Sequence, residues 1–128
     1  MRLMVLAPLL LLPMPVSAFT TQNGMTATQI SPTEIAVAHD VRRDDTDYWC
    51  AAGDFASRAL GLAGQTRIWR ATPKPRGAGE GIIFTLDPAH KAEGAGLSQF
   101  GAGPRDGSLS VAMAVRSFCQ PRFPYWRD

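Results

Sequence analysis

The chain has 128 residues, with 13 Lys and Arg against 11 Asp and Glu for a formal net charge of +2. That length fits one domain and argues against two, and the balanced charge gives no electrostatic footprint for nucleic acid or an anionic membrane surface. Two cysteines allow a single intramolecular pairing.

Met1 and Arg2 make a minimal positive start, and Leu3 to Leu12 is an apolar run of about ten residues. A helix needs about 20 apolar residues to cross a hydrocarbon core, so the run reads as a removable leader and not as an anchor. Pro13 and Pro15 break it, and Val16-Ser17-Ala18 places small residues where a signal peptidase requires them. No cysteine follows the cut, which argues against a lipoprotein, and no polar face marks the run as a buried helix of the folded domain. The prediction is a signal peptide over 1–18 and a single mature domain over 19–128, exported to the periplasm or beyond, with a net charge of about +1 once Arg2 is lost. The mature part contains no second hydrophobic span.

Thr-rich residues 19–38 alternate apolar and polar positions on both sides of Ser31-Pro32-Thr33, which predicts strands near 25–30 and 34–38 joined by a tight turn. His39 to Asp45 is a polar connection whose Asp44-Asp45-Thr46 offers helix N-caps. The principal helix is predicted over about 46–60, where Trp49, Ala52, Ala56 and Leu60 recur at helical spacing, and Gly61 suits a left-handed C-terminal cap. Gly53 costs about 1 kcal/mol relative to Ala in that helix, a defect tolerable where another element packs closely over it.

Residues 66–72, around Ile68 and Trp69, and 81–86, with Ile82, Ile83 and Phe84, read as two strands separated by a Pro- and Gly-rich loop. Residues 87–107 have little to bury beyond Leu97 and Phe100 and read as loop, with one short strand at most. In 108–119, Leu109, Val111, Met113 and Val115 alternate as in a strand while Ala112, Met113 and Ala114 favour helix; a strand is preferred and a helix stays open. Residues 120–128 read as an extended tail. The fold class is α+β: a small antiparallel sheet of about four or five short strands with one principal helix.

Export places Cys50 and Cys119 in an oxidising compartment, where they are expected to form a disulfide. Closing a loop of about 70 residues stabilises the fold by about 4 kcal/mol in the chain-entropy treatment. Neither cysteine lies in a Cys-x-x-Cys pair or at ligand spacing from a histidine, so a zinc site lacks partners, and the carboxylates near Cys50 disfavour a nucleophilic thiolate.

The remaining motifs weigh differently. His39-Asp40 and His90 with Asp87 are the sharpest candidates for acid–base work in a small histidine-dependent hydrolase, set against two solvent-exposed loop histidines. Asp44, Asp45 and Asp47 lack the spacing of a calcium loop and suit a helix N-terminus instead. Gly77-Ala78-Gly79-Glu80-Gly81 beside Lys74 and Arg76 has the composition of a phosphate nest, but it leads into a strand where a phosphate loop should open a helix. Lys74 and Arg76 remain the first candidates for contact with an acidic partner. The tail mixes Arg122, Tyr125, Trp126 and Arg127, a composition used for peptide, glycan or single-strand contacts, set against aromatics that lie across the domain surface and complete a thin core. No cofactor or metal is expected, and the leading functional reading is a non-enzymatic binding or inhibitor module for an envelope protein or peptide. The alternatives are the hydrolase and a structural accessory subunit of an envelope complex.

Tyr48-Trp49-Cys50-Ala51-Ala52-Gly53-Asp54, with Ile68-Trp69-Arg70, Pro104-Arg105-Asp106-Gly107 and the second cysteine near the C-terminus, resembles a group of small exported alphaproteobacterial proteins without an assigned function. The resemblance touches about half of the mature chain and implies a shared fold but no activity.

Overall fold

A computed structural model describes residues 18–73, 76–92 and 107–119. The chain forms β1 (Phe19–Thr20), β2 (Thr26–Ser31), β3 (Glu34–Val37), α1 (Asp45–Asp54) with a widened continuation (Phe55–Ala59), β4 (Arg67–Arg70), β5 (Ile82–Thr85), β6 (Leu109–Ser110) and α2 (Val111–Phe118). The six strands make one antiparallel sheet in the order β1-β2-β3-β5-β4-β6, so the α+β architecture is the one predicted. The strands added at each edge, β1 and β6, have 2 residues each, too few for any periodic signal.

Alternation decides which side chains meet α1. Ala27, Ile35, Val37, Ile82, Phe84, Ile68 and Leu109 lie in register on the buried face. Against them α1 lays Trp49, whose ring meets Phe84 edge-on at 4.8 Å between centroids. From Tyr48 to Ala56 every α1 position is buried, because the sheet covers one side and α2 the other. Asp47 reaches back to accept the Asp44 N–H at 3.0 Å, which fixes the start of the helix. At its far end the Leu60 N–H donates to the Phe55 carbonyl at 3.1 Å, a wide last turn, and Gly61 follows at φ +69°, the expected left-handed cap.

Residues 111–118 correct the preferred strand reading of 108–119: only Leu109 and Ser110 pair as strand, and Val111 opens a helix. Three donors explain the switch. The Ser110 Oγ accepts the Met113 N–H at 3.0 Å, while the Val111 and Ala112 N–H groups donate to the Thr66 and Gly64 carbonyls at 2.8 Å each. Three of the early N–H groups that a helix leaves unpaired are thus satisfied. Val111 and Ala114 then face the core while Met113, which strand alternation would bury, is 48% exposed.

Gly53 sits where the two helices cross: a Cβ there would lie 2.8 Å from the Ala114 Cβ. The predicted close neighbour of Gly53 is therefore α2. Cys50 and Cys119 are joined as a disulfide with Cα atoms 4.9 Å apart, tying the end of α2 to the middle of α1.

Candidate functional site

Of the residues singled out in the sequence, Cys50 and Cys119 form the staple just described. Lys74, Arg122, Tyr125, Trp126 and Arg127 lie outside the described residues, as do residues 1–17, within the predicted signal peptide, and residues 93–106.

The two histidines do not converge. His39 is exposed at the end of β3, and the carboxylate beside it in sequence, Asp40, is taken by Arg43 Nε at 2.8 Å. His90 Nδ1 stands 3.8 Å from Asp87 Oδ2, with side chains 55% and 42% exposed, and the other Asp87 oxygen accepts the Ala89 N–H at 3.0 Å. Both carboxylates serve turns, and neither aligns an imidazole at hydrogen-bond distance. Among the described residues no group of three His, Cys, Asp or Glu side chains is placed to hold a metal ion.

Two ionisable clusters were not legible in advance. Asp54, 1% exposed at the end of α1, accepts from the Gln22 N–H at 3.0 Å, Gln22 Nε2 at 2.8 Å, and Arg58 Nε and Nη2 at 2.8 and 2.7 Å. Burial pushes its carboxyl up, but the bonds from Arg58 and Gln22 outweigh that and hold it below the usual carboxylate range. Arg58 also lies over the Phe19 ring at 5.0 Å, so the cluster pins the N-terminal strand to α1. The i, i+4 spacing of Asp54 and Arg58 was its one signal in the sequence.

The second cluster gathers at the opposite end of α1. Arg70 is 1% exposed because it shares the inward parity of Ile68 on β4. Its guanidinium donates to Asp45 Oδ2 at 2.8 Å, the Thr72 carbonyl at 3.0 Å and the Pro73 carbonyl at 3.3 Å. It therefore holds the start of the β4–β5 connection against the first turn of α1. Arg76, from the far side of that connection, stacks over the Tyr48 ring at 4.8 Å and donates through Nη1 to the Glu80 carbonyl at 3.2 Å. Its Nε is 3.9 Å from Asp45 Oδ1, buried and without a hydrogen-bond partner among the described residues. The indole N–H groups of Trp49 and Trp69 are likewise buried and without one.

Tyr48 joins this end to the β3–α1 connection. Its hydroxyl accepts the Asp40 N–H at 3.2 Å and donates to the Asp40 carbonyl at 3.4 Å. Arg43 bridges from Asp40 to the Asn23 carbonyl at 2.7 Å. Between these anchors Val41 is 67% exposed and Arg42 holds φ +63°, the left-handed region that a residue with a Cβ enters at a cost. The glycine stretch behind Arg76 forms a turn, with the Glu80 N–H donating to the Gly77 carbonyl at 3.0 Å and Gly79 at φ +79°. It runs directly into β5, the geometry of a hairpin connection.

Arg76, picked from the sequence with Lys74, thus belongs to a surface made by 39–44, the first turn of α1 and the β4–β5 connection. Its exposed part is Val41 and Arg42, while Arg70 and the Tyr48 ring lie buried beneath it and Arg76 is largely covered. Compared with known protein-family models, curated proteins and solved structures, the chain matches none.

Proposed function

We propose that this chain is a non-enzymatic binding or inhibitor module, exported by removal of residues 1–18 and acting on a protein or peptide outside the cytoplasm. The observation that carries the reading is the surface around Tyr48, where Arg76 is fixed over the aromatic ring and the neighbouring connection displays Val41 and Arg42 to solvent. A fixed connection that shows one cation and one apolar side chain to solvent suits recognition of another polypeptide. The other ionisable groups support the same reading, since Asp54, Arg70, Asp45 and Asp40 are each spent on holding chain segments together. The disulfide is consistent with an oxidising compartment.

Affinity capture from envelope extract tests the reading, using wild-type protein, a variant lacking 120–128 and Arg76→Glu. The expected result is a partner retained by the wild type and lost with one or both variants. A well-folded wild type that retains nothing above a blank matrix refutes it. N-terminal sequencing of the exported protein should begin at Phe19, and recovery of intact residues 1–18 on exported material would contradict the leader.

A further inference from the structure

We infer that the tip of the β3–α1 connection, Val41 and Arg42, is a preorganised recognition element for an acidic, apolar-containing segment of another polypeptide; this rests on the binding reading above and supplies its partner class.

Single exposed apolar residues are ordinary on protein surfaces, so Val41 alone argues nothing, although at 67% it is the most exposed large hydrophobic among the described residues. The conformation beside it does argue. Arg42 is the one non-glycine residue described at positive φ, and such residues persist where the surroundings over-determine them, a condition concentrated at functional sites. Here the over-determination is visible on both sides of the tip. Tyr48 Oη bonds both backbone groups of Asp40 at 3.2 and 3.4 Å, and Arg43 is tied to Asp40 and to the Asn23 carbonyl at 2.8 and 2.7 Å. Downstream, Asp44 is locked to Asp47 at 3.0 Å and α1 begins.

Every neighbouring arginine is committed. Arg43 pairs with Asp40, Arg70 with Asp45 and two carbonyls, and Arg76 with Tyr48 and the Glu80 carbonyl. Arg42 is exposed and makes no ion pair among the described residues. A turn held in advance therefore offers one uncommitted guanidinium and one apolar side chain at consecutive exposed positions, and a partner need not supply the ordering cost of the loop. The complementary group is a carboxylate next to an apolar side chain, because a guanidinium takes a carboxylate through paired N–H donors while Val41 loses water against the apolar neighbour. The nearby Asp40 and Asp45 are already paired with Arg43 and Arg70, and a polyphosphate chain fits less well because it would leave Val41 without an apolar neighbour.

The test uses purified oxidised protein on immobilised peptides of three kinds: Asp/Glu with Leu/Phe, Asp/Glu with Ser, and Lys/Arg with Leu/Phe. Wild type should prefer the acidic, apolar set, and Arg42→Glu or Val41→Asp should weaken that binding by about ten-fold or more, while Arg42→Lys, which keeps the charge but loses the paired donors, should weaken it less than Arg42→Glu does. Tyr48→Phe keeps both tip side chains but removes an anchor; it should weaken binding and also speed amide exchange over 39–44, a readout that charge alone would not move. All these positions are at or near the surface or keep their ring, and thermal melts verify each fold. Binding of the acidic, apolar set that is unchanged in Arg42→Glu and Val41→Asp overturns the assignment. Preference for basic peptides, indifferent to residues 41 and 42, overturns the tip but leaves the binding reading standing. Folded wild type that binds no set and captures no partner overturns both.

Discussion

Replacing Gly53 with alanine measures how tightly α1 and α2 are locked. In an isolated helix the change should stabilise by about 1 kcal/mol, since glycine is the poorer helix former. Here the new methyl would stand 2.8 Å from the Ala114 Cβ, 3.3 Å from Val115 Cγ2 and 3.4 Å from the Val111 carbonyl oxygen. Carbon atoms pack at about 3.5–4.0 Å, so α2 would have to retreat by about 1 Å. It is poorly placed to do so: Cys119 is bonded to Cys50, one turn before Gly53, and the first turn of α2 hangs on the Thr66 and Gly64 carbonyls at 2.8 Å. Overpacking costs about 1–3 kcal/mol, and a contact as short as 2.8 Å belongs in the upper half of that range, about 2–3 kcal/mol, so after the propensity gain Gly53→Ala is left destabilised by about 1–2 kcal/mol. Urea unfolding of the oxidised protein, followed by circular dichroism, reads the difference. The double variant Gly53→Ala with Ala114→Gly moves the methyl to the other helix, and a favourable coupling of about 1 kcal/mol or more is expected. A Gly53→Ala protein more stable than wild type, or a cycle with no coupling, would refute the helix crossing.

Other substitutions probe the remaining contacts. Asp54→Asn should cost about 2 kcal/mol, reduced from the figure for a fully buried pair because Arg58 is half exposed. Because the folded Asp54 carboxyl titrates below its ordinary range, its stabilisation is complete above that range and drains away as pH falls through the folded value. Acid melts of wild type should therefore steepen below about pH 4, and Asp54→Asn should lose that part of the slope. Arg70→Met leaves two carbonyls and Asp45 without their donor and should cost about 3 kcal/mol by denaturant unfolding; a neutral result would mean the site rehydrates freely. Removing the 69-residue cross-link with Cys50→Ser and Cys119→Ser should lower stability by about 4 kcal/mol, with faster amide exchange in α2 before the sheet responds. Arg42→Gly relieves the left-handed strain against a looser unfolded chain and should raise stability by about 0.5 kcal/mol.

The elements most legible in the sequence are those whose periodicity has a single interpretation. The β2–β3 hairpin around Pro32-Thr33, the start of α1 at Asp44–Asp45 and its end at Gly61 follow from alternation and capping chemistry that nothing else competes with. Residues 109–118 carry two patterns at once, since Leu109, Val111, Met113 and Val115 alternate while Val111, Ala114, Val115 and Phe118 follow a helical stripe. The choice fell to one serine hydroxyl and two distant carbonyls, which alternation does not reveal. Gly53 was readable as a close approach but not its partner. Arg70 looked like a surface cation, and only its shared parity with Ile68 hinted that it points inward. At the candidate site Arg76 stood out by composition, whereas Tyr48, Val41 and Arg42 did not. Their roles come from a hydroxyl meeting a backbone eight residues earlier and from a backbone angle, both set by tertiary structure.

The central claim, that this domain meets its partner at the tip beside Tyr48, is tested most directly by photo-crosslinking in cells from a benzoyl-phenylalanine placed at position 41, with exposed Ser57 on the continuation of α1 as the control site. A discrete adduct with another polypeptide from position 41, absent from position 57 and lost on adding Arg42→Glu, is the predicted result. An adduct from position 57 alone, or one from position 41 that is unaffected by Arg42→Glu, would contradict it.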